Sequence, residues 1–249
     1  MMNESTPQNH EHDIEYPLEA LSEEHQRYCS SGKSVEELAH LAKNIIQTVS
    51  GSVEIMELGL ERKQYDRVRR SWEIFKPNFG RLKEFVLDLI KYTKQYPIQK
   101  SECNLNQLVE KAIRSCECHL RRRQTDVQLI PDTSIPAVSL DSDRIEEMIA
   151  NLVTHSLDNL PEPGGCISIC TNYLADHQQI RISVSDQGPI LSHDEILSLV
   201  LPRERTRNMC GTGFDIPLTK IYVEQHDGYM EFESAPDKGN CVYIYLPIQ

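Results

Sequence analysis

Apolar residues recur every three or four positions along two stretches in the N-terminal part of the chain. In the first stretch the repeating positions are Leu38, Ala42, Ile45, Val49, Val53, Met56 and Leu60. In the second they are Val68, Trp72, Phe75, Phe79, Leu82, Val86 and Leu89. This spacing predicts two amphipathic helices. The short polar connection between them predicts an antiparallel helical hairpin over residues 34–96.

The predicted hairpin carries more large apolar side chains than two helices can bury against each other. Trp72, Phe75 and Phe79 all lie on the second helix, and a single partner helix cannot cover rings of that size. Pairing with a second copy of the hairpin buries them in a four-helix bundle, which is the usual symmetric solution. We therefore expect a homodimer.

After the linker-like segment YPIQKSE, helical and strand patterns alternate. Helices are predicted over about residues 105–122 and 142–160 and from near Gly213, and strands over VQLIP, CISICTNYL, QIRISVSD, YMEFESA and CVYIYLP. Residues 188–210 show no periodic pattern and are predicted to be irregular. Helices mixed with mainly antiparallel strands predict a two-layer α/β sandwich over residues 103–249, so the fold class is α+β.

The first 33 residues are polar and rich in Glu and His. Such a segment buries too little apolar surface to fold alone, and residues 1–33 are expected to form a disordered or weakly helical arm. The formal net charge of the whole chain is −12. This charge argues against binding to nucleic acid, whose phosphates attract basic surfaces, and equally against binding to an anionic membrane.

The sequence contains neither a run of about 20 apolar residues, as a membrane helix needs, nor a signal-peptide pattern. Its eight cysteines are scattered, without a CxxC pair and without His-rich metal spacing. In a chain of this length that arrangement is typical of reduced cysteines. We therefore expect a cytoplasmic protein.

The first predicted helix offers a candidate nucleophile. When its apolar positions face the hairpin core, His40, Lys43, Asn44 and Gln47 lie on the opposite face. An exposed polar face of this kind also fits an ordinary solvated helix surface. The functional interpretation is that a neutral imidazole accepts a phosphoryl group at a ring nitrogen. Lys43 would then meet phosphate oxygens, and Asn44 would orient the ring or the incoming group by hydrogen bonding.

Two glycine-containing patterns in the predicted sandwich suggest a nucleotide site. A strand ends in Asp186 with Gly188 just beyond it. A carboxylate there can accept a hydrogen bond from an exocyclic amine, and a glycine lets a flat ring approach the backbone. Gly211 and Gly213 flank Thr212 directly before a helix, as in loops that cradle phosphate with backbone N–H groups. Both patterns also occur in ordinary turns.

The predicted helix 142–160 carries a polar stripe beside an apolar face. Taken alone, the stripe fits either ordinary flank residues or a nucleotide and metal site. The stripe consists of Asn151, His155 and Asp158, and the residues facing the core are Ile145, Met148, Ile149 and Leu152.

The order of these patterns resembles that of bacterial sensor histidine kinases of two-component signalling. LAHLAKNIIQ is similar to the H box of that family and NLVTHSLD to its N box. SDQGP and GTGFDI are similar to its two glycine boxes, and DKGNCVYIYLP to its last strand. The resemblance covers residues 35–249. It implies a dimerisation and histidine phosphotransfer hairpin, followed by a sandwich of the histidine kinase, gyrase and chaperone ATPase type.

The resemblance also implies a chemistry for the site. His40 would be the phospho-accepting histidine, ATP and Mg²⁺ would bind in the sandwich under a mobile lid, and a receiver domain of a response regulator would take the phosphoryl group on an aspartate. Asn151 and His155 would lie nearest the metal. The residues implied to bind the cofactors are Asn151, His155, Asp186, Gly188, Gly211, Thr212 and Gly213.

Four positions depart from the family pattern. Leu41 stands where an acidic residue usually follows the histidine, and His155 replaces an asparagine, although Mg²⁺ prefers oxygen ligands. Ile190 and Asp215 each replace a glycine of the two glycine boxes. Together these changes weaken the metal site, the lid hinge and the phosphate cradle, so binding of ATP and Mg²⁺ is expected to be weakened or lost.

Three functions fit these observations. The first is a histidine kinase, a transferase that phosphorylates His40 from ATP and passes the group to a response regulator. The second is an ATP-independent histidine phosphotransferase adaptor of a phosphorelay, with a degenerate kinase domain. The third is a pseudokinase scaffold. The retained Asn151, Asp186 and glycine residues favour the kinase.

Overall fold

A computed structural model describes the chain over residues 16–17, 33–94, 96–202, 211–236 and 238–248. Helix α1 spans Lys33–Glu61, and helix α2 spans Tyr65–Lys94. They pack antiparallel, and the hydroxyl of Ser71 donates a hydrogen bond of 2.7 Å to the carbonyl oxygen of Ser52. That bond sets the level at which the two helices face each other.

The hairpin formed by α1 and α2 follows the predicted apolar seams in part, with the seam residues Leu38, Ala42, Val49, Leu82 and Leu89 partly buried against the core. Its buried positions are Leu41, Ile45, Ser52, Ser71 and Phe85. Several residues of the predicted seams are exposed instead, namely Leu60, Trp72, Phe79 and Val86. The two helices also approach closely at small residues, since Ser71 bonds to Ser52 and a Cβ on Gly59 would lie 2.9 Å from Val68 Cγ2.

The large side chains of α2 form a continuous outer surface, here called the aromatic stripe and consisting of Trp72, Phe75 and Phe79. The ring centroids of Trp72 and Phe75 lie 5.5 Å apart, as do those of Phe75 and Phe79. In the single chain Trp72 is 51% exposed and Phe79 is 53% exposed. The stripe therefore presents stacked rings to whatever lies outside the hairpin.

A two-layer sandwich follows the hairpin. Its helices are α3 Leu105–Arg123, α4 Ser142–Asn159, α5 His193–Leu199 and α6 Asp215–Gln225. The strands are β1 Tyr16–Pro17, β2 Ser101–Cys103, β3 Thr125–Ile130, β4 Val138–Leu140, β5 Gly165–Leu174, β6 Gln179–Asp186, β7 Tyr229–Ala235 and β8 Gly239–Pro247. The predicted α+β class is confirmed.

The main sheet has the strand order β1-β7-β8-β6-β5-β3. Only β3 and β5 pair in parallel among its described strands, and β2 and β4 form a separate small ribbon. Burial alternates along β8, so one face of the sheet packs against helices. The core between the layers includes Ile145, Met148, Ile149 and Leu152 of α4 with Ile167, Ile169, Ile180, Ile182 and Ile244 of the sheet.

Two predictions about irregular segments need correction. The stretch 188–210 contains α5, whose N-terminus is closed by a capping box in which Ser192 and Glu195 bond each other's backbone N–H. In the N-terminal arm, Tyr16–Pro17 pair with β7 at the edge of the sheet. The rest of the arm, residues 1–15 and 18–32, and residues 203–210 lie outside the described residues.

Helix α6 is buried on all sides from Asp215 to Val223. Helix α4 and strand β7 pack against it from the sandwich, and α2 packs against it from the hairpin. A helix covered all round has no amphipathic period, and for this reason only its beginning was predicted from the sequence. The hairpin and the sandwich are thus packed together through α6.

A buried histidine joins three parts of the sandwich. His226 is 1% exposed; its Nδ1 lies 2.6 Å from the carbonyl oxygen of Tyr222, and its Nε2 accepts the N–H of Asp141 at 3.0 Å. The carboxylate of Asp141 in turn accepts the N–H groups of Gln99 and Arg144. Both ring nitrogens are used, so the arrangement requires neutral His226 with its proton on Nδ1.

No helix among the described residues is long and apolar enough to cross a membrane. The six cysteines within the described part of the chain are free.

We predict that acid weakens the fold through His226. Burial lowers the pKa of His226, so below about pH 6.5 the unfolded chain binds a proton that the folded chain does not. The free energy of unfolding should therefore fall as the pH drops from about 6.5 toward the folded-state pKa, by at most about 1.4 kcal/mol per pH unit. Urea unfolding at several pH values measures this slope.

The His226→Gln variant should be less stable than the wild type near neutral pH, yet its stability should depend less on pH in this range. Exposed His177 provides the control, because His177→Gln should leave the slope unchanged. Equal slopes for the wild type and His226→Gln would contradict the assignment.

Candidate functional site

Helix α4 turns its predicted polar stripe toward the second glycine segment, residues 211–213. His155 is 3% exposed and Asp158 is 9% exposed, so the stripe is an interior surface. Asp158 Oδ2 accepts the N–H of Gly211 at 3.3 Å. His155 Nε2 lies 3.0 Å from Asn159 Nδ2, one turn further along α4. Both side chains already have partners within the protein.

Asn151 is the exception on this stripe. Its Nδ2 atom is buried and has no hydrogen-bond partner among the described residues. Buried amide groups in folded proteins are normally hydrogen bonded. A ligand atom or a water molecule beside Asn151 would therefore supply the hydrogen bond that its side-chain amide lacks.

Asn240, which was not among the predicted site residues, holds the turn after β6. Asp186 Oδ1 accepts the N–H of Gly188 at 2.9 Å and the Nδ2–H of Asn240 at 3.0 Å. Asn240 also donates to the carbonyl oxygen of Pro189 and accepts from Ser234 Oγ. The available signal was the segment DKGN before the last strand, because β6 and β8 pair with Asp186 opposite Asn240.

Two glycines allow this turn to close. A Cβ on Gly188 would lie 2.8 Å from the carbonyl oxygen of Asn159 and 2.8 Å from Asp186 Oδ1. Gly239 has φ +74°, and a Cβ there would lie 2.1 Å from the carbonyl oxygen of Asp186. A larger residue at position 188 would push the turn away from α4, and one at position 239 would push the start of β8 away from Asp186.

The second glycine segment contacts the hairpin directly. Gly213 has φ +94°, a conformation that favours glycine. The hydroxyl of Thr212 donates a hydrogen bond of 2.6 Å to Asp88 Oδ2 on α2. Thr212 and Asp215, which opens α6, are both buried. The residues predicted to cradle phosphate thus lie between α4 on one side and α2 on the other.

Phe214 anchors this segment. Its ring is completely buried and lies 5.6 Å, edge to face, from the rings of Phe85 and Tyr92. Phe85, Asp88 and Tyr92 follow one another at helical spacing, so they form one face of α2. Aromatic pairs in this geometry contribute about 0.5–1.5 kcal/mol each beyond the burial of their surface.

The surroundings of Asp88 are rich in carboxylates. Lys91 Nζ lies 3.7 Å from Asp88 Oδ1 and 2.5 Å from Glu147 Oε1 on α4. Burial raises the pKa of Asp88, whereas the hydrogen bond from Thr212 and the charge of Lys91 act in the opposite direction. Lys91 is therefore a cation shared between the hairpin and the sandwich.

His40, Lys43 and Asn44 are exposed on α1. Asn44 lines a groove between the two helices, together with Thr48 and Gly51 of α1 and Ile74, Asn78 and Arg81 of α2. Lys43 does not line this groove. Leu41, the position that lacks the acidic residue, is buried in the hairpin contact.

The site residues fit a nucleotide in part. Asn151 has an unsatisfied buried amide, and Asp186 and Gly188 form a tight strand-end turn. A metal fits less well, because the Nε2 atom of His155 is buried against Asn159 and Mg²⁺ requires an oxygen-rich shell. Within the described residues, no group of three or more His, Cys, Asp or Glu side chains could hold a metal ion.

Comparison with known families identifies the sandwich. Residues 140–249 match the family of histidine kinase-, DNA gyrase B- and HSP90-like ATPases. The matched region begins at the end of β4. It includes all the predicted cofactor-binding residues, from Asn151 to Gly213.

Curated relatives extend the match into the hairpin. Sporulation kinase C of Bacillus subtilis is 22% identical over 93% of this chain and 52% of its own length. The sensory histidine kinase/phosphatase NtrB of Vibrio alginolyticus is 27% identical over 90% of this chain and 65% of its own length. The chain spans about half the length of the first curated relatives that it matches.

Solved structures share the fold. Histidine kinase ThkA in complex with the response regulator protein TrrA gives a TM-score of 0.69 at 22% identity, over 93% of this chain and 66% of that one. Histidine kinase AdeS of Acinetobacter baumannii gives a TM-score of 0.65 at 16% identity, over 83% of this chain and 96% of that one.

We predict that Asn240 is required to hold the Asp186 turn. Asn240→Asp would place a second carboxylate against Asp186 in a buried position and remove two donated hydrogen bonds. The free energy of unfolding should fall by about 2–3 kcal/mol, the range for an uncompensated buried polar group. Urea unfolding measures this loss.

Asn172→Asp is the matched control. Asn172 Oδ1 accepts from Arg181, and a carboxylate at that position can accept the same bond. Its effect should stay within about 0.5 kcal/mol. A small effect at position 240 would show that Asn240 does not support the turn.

Proposed function

We propose that this chain, which belongs to the sensor histidine kinase family of two-component signalling, is a protein-histidine kinase that carries the phosphoryl group on His40. The nucleotide would bind in the sandwich, and a receiver aspartate of a response regulator would take the group from His40.

The observation that carries this proposal is the docking of the glycine segment near the level of His40. Ser52 and Ser71 share one level of the hairpin. Twelve residues before Ser52 is His40, and twelve residues after Ser71 is Lys83. Asp88, which binds Thr212, lies five residues beyond Lys83, which is about 7–8 Å along the axis at 1.5 Å per residue.

His40 supplies the nucleophile in this mechanism. The lone pair of a ring nitrogen forms the N–P bond while the P–O bond to the donor breaks and the donor oxygen keeps the electron pair. In the forward transfer, a carboxylate oxygen of the receiver aspartate attacks phosphorus and the imidazole recovers its lone pair. We assign Lys43 to the phosphoryl oxygens and Asn44 to orientation of the ring or the incoming group.

The residues of the sandwich would bind the nucleotide from three sides. Asp186 would accept a hydrogen bond from the base, Gly188 would let the ring approach, and the amide of Asn151 would meet a polar group. Gly211, Thr212 and Gly213 would face the phosphates. ATP supplies the phosphoryl group when bound. His155 offers a poor ligand to Mg²⁺, so we propose that binding depends little on the metal.

A second candidate is an ATP-independent phosphotransferase adaptor. The observation that favours it is the present use of the glycine segment by Asp88 and Asp158, which bond Thr212 and Gly211. In this case His40 exchanges the phosphoryl group only with receiver aspartates. A scaffold without phosphotransfer is the third candidate, and it requires His40 to be chemically silent.

Dimerisation and localisation complete the proposal. The exposed aromatic stripe supports pairing with a second copy of the hairpin in a four-helix bundle. We place the protein in the cytoplasm, where receiver domains would reach it. Its partners would be a second copy and a response regulator, with no part for nucleic acid or membrane.

We predict that His40→Ala abolishes phosphorylation without unfolding the protein. His40 should take phosphate from a phosphorylated receiver faster than from ATP, because the aspartate carboxylate that leaves the acyl phosphate needs less help than ADP does. The substitution should change stability by no more than about 0.5 kcal/mol, since an exposed helix position tolerates alanine. Radiolabelled ATP and radiolabelled phospho-receiver measure the two transfers.

His119→Ala, an exposed histidine on helix α3, is the matched control and should keep the wild-type label. Acid-labile phosphate on His40→Ala after either treatment would refute the assignment. Label from the receiver but not from ATP would select the adaptor.

We also predict that Phe79→Asp dissociates the homodimer. The charge would be buried without a partner in the bundle, at one end of the aromatic stripe, which is strongly unfavourable. Light scattering should give the mass of a monomer for this variant and of a dimer for the wild type. Ser50→Asp, at an exposed position of α1 outside the stripe, should remain dimeric. A monomeric wild type at micromolar concentration would exclude the four-helix bundle.

A further inference from the structure

Two hydrogen-bond donors of the second glycine segment are already bonded to carboxylates. Gly211 N–H donates to Asp158 Oδ2 at 3.3 Å, and Thr212 Oγ1 donates to Asp88 Oδ2 at 2.6 Å. Glycine segments at a helix N-terminus attract anions because their free N–H groups and the helix dipole are positive. In this chain the carboxylates of Asp88 and Asp158 take the place of such an anion.

The two carboxylates differ in how they are held. Asp158 belongs to the same sandwich as the glycine segment, so its contact with the segment does not depend on the position of the hairpin. Asp88 belongs to α2, so its contact with Thr212 exists only while the hairpin is docked. Separation of α2 from α6 would remove one carboxylate and free the Thr212 hydroxyl.

The docking of α2 is made by neighbours of Asp88 on the same helix face. Phe85 and Tyr92 enclose the ring of Phe214, one turn before and one turn after Asp88. Lys91 bridges to Glu147 on α4 at 2.5 Å. Helix α2 therefore brings an apolar clamp, a cation and an anion to the segment as one unit.

A nucleotide phosphate approaching the docked segment would meet unfavourable electrostatics. Asp88 and Asp158 occupy two of its donors, Asp215 lies in the first turn of α6, and Glu147 lies beside Lys91. The negative charges of these carboxylates would repel a phosphate at this place. A phosphate cannot share the Thr212 hydroxyl with Asp88.

We infer that Asp88 competes with nucleotide phosphate for the glycine segment. Its bond with Thr212 is an autoinhibitory contact made by the hairpin, and this contact must break before nucleotide binds there. This inference rests on the nucleotide site of the proposed function. The competition is reciprocal, because two ligands that exclude each other weaken each other equally. Nucleotide would undock α2, and a partner that pulls α2 away would raise the affinity for nucleotide.

Titration of the full-length chain with trinitrophenyl-ATP, with and without Mg²⁺, tests the inference. Asp88→Ala should tighten binding about tenfold, since the docked fraction no longer blocks the donors. Asp88→Asn keeps an oxygen that can accept from Thr212 but removes the charge, so it should tighten binding by less. Glu84→Ala and Glu84→Gln, at an exposed acid one turn before on α2, should bind as the wild type does.

Hydrogen exchange of residues 85–94 gives a second measurement. In the wild type, saturating nucleotide should increase exchange of this part of α2, because it undocks; in Asp88→Ala the increase should be smaller. Circular dichroism checks that each variant is folded. If Asp88→Ala does not fold, the affinity of Asp88→Asn relative to the wild type decides the test.

Equal affinity in the wild type and both Asp88 variants would overturn the inference. Weaker binding in Asp88→Ala would overturn it too, since Asp88 would then organise the segment instead of masking it. Absence of binding in every protein would also overturn it. Transfer from a phosphorylated receiver to His40 is measured separately, so that last outcome leaves the adaptor function intact.

Discussion

The ring of Phe214 holds the two parts of this protein together. It enters between Phe85 and Tyr92 of α2 and is completely buried there. Because Phe214 directly precedes α6 and follows Gly213, this contact joins the hairpin, the glycine segment and α6. The ion pair between Lys91 and Glu147 and the bond from Thr212 to Asp88 follow from that contact, since all four residues lie beside it.

Several acidic residues of the chain lie close together at this contact. A formal net charge of −12 is distributed over the whole chain, but Asp88, Asp158 and Asp215 gather around three residues that would otherwise attract phosphate. Two of the three carboxylates bond directly to that segment. The glycine segment therefore keeps an arrangement that binds anions, and the anions bound there are carboxylates of the protein itself. This arrangement accounts for a site that keeps kinase-like residues yet is closed to nucleotide in the docked state.

The two proposed functions, kinase and adaptor, would use the same histidine and would differ in the source of the phosphoryl group. His40 is exposed on a rigid helix, at a level near the docked glycine segment. Exchange with a receiver requires only that exposure, whereas transfer from ATP also requires the segment to open and to release Asp88. Control of one contact would thus decide between the two modes of action. Burial of Leu41 in the hairpin fits either mode, because no acidic residue at that position assists the imidazole.

Local patterns were sufficient for most of the elements and for several site residues. The periodicity of α3, α4, β5 and β6 predicted their limits closely, since each buries one regular face. Asp186, Gly188 and Gly213 were identified because a carboxylate at a strand end and glycines beside it and before a helix suit a bound nucleotide. The α5 helix was missed although SHDE is a capping sequence, because the helix has only seven residues and little periodicity to detect.

Only the tertiary structure decided what covers each surface. The hairpin contact includes the small residues Ser52, Gly59 and Ser71, which the predicted apolar seams did not contain. Asn240 and Asp88 became site residues through strand pairing and helix docking, which join positions 54 and 124 residues away from their partners Asp186 and Thr212. The sequence by itself determined the elements, the family pattern and the candidate nucleophile. Long-range packing determined that the polar stripe is buried and that the glycine segment is bonded to the protein's own carboxylates, because those contacts depend on where distant elements meet.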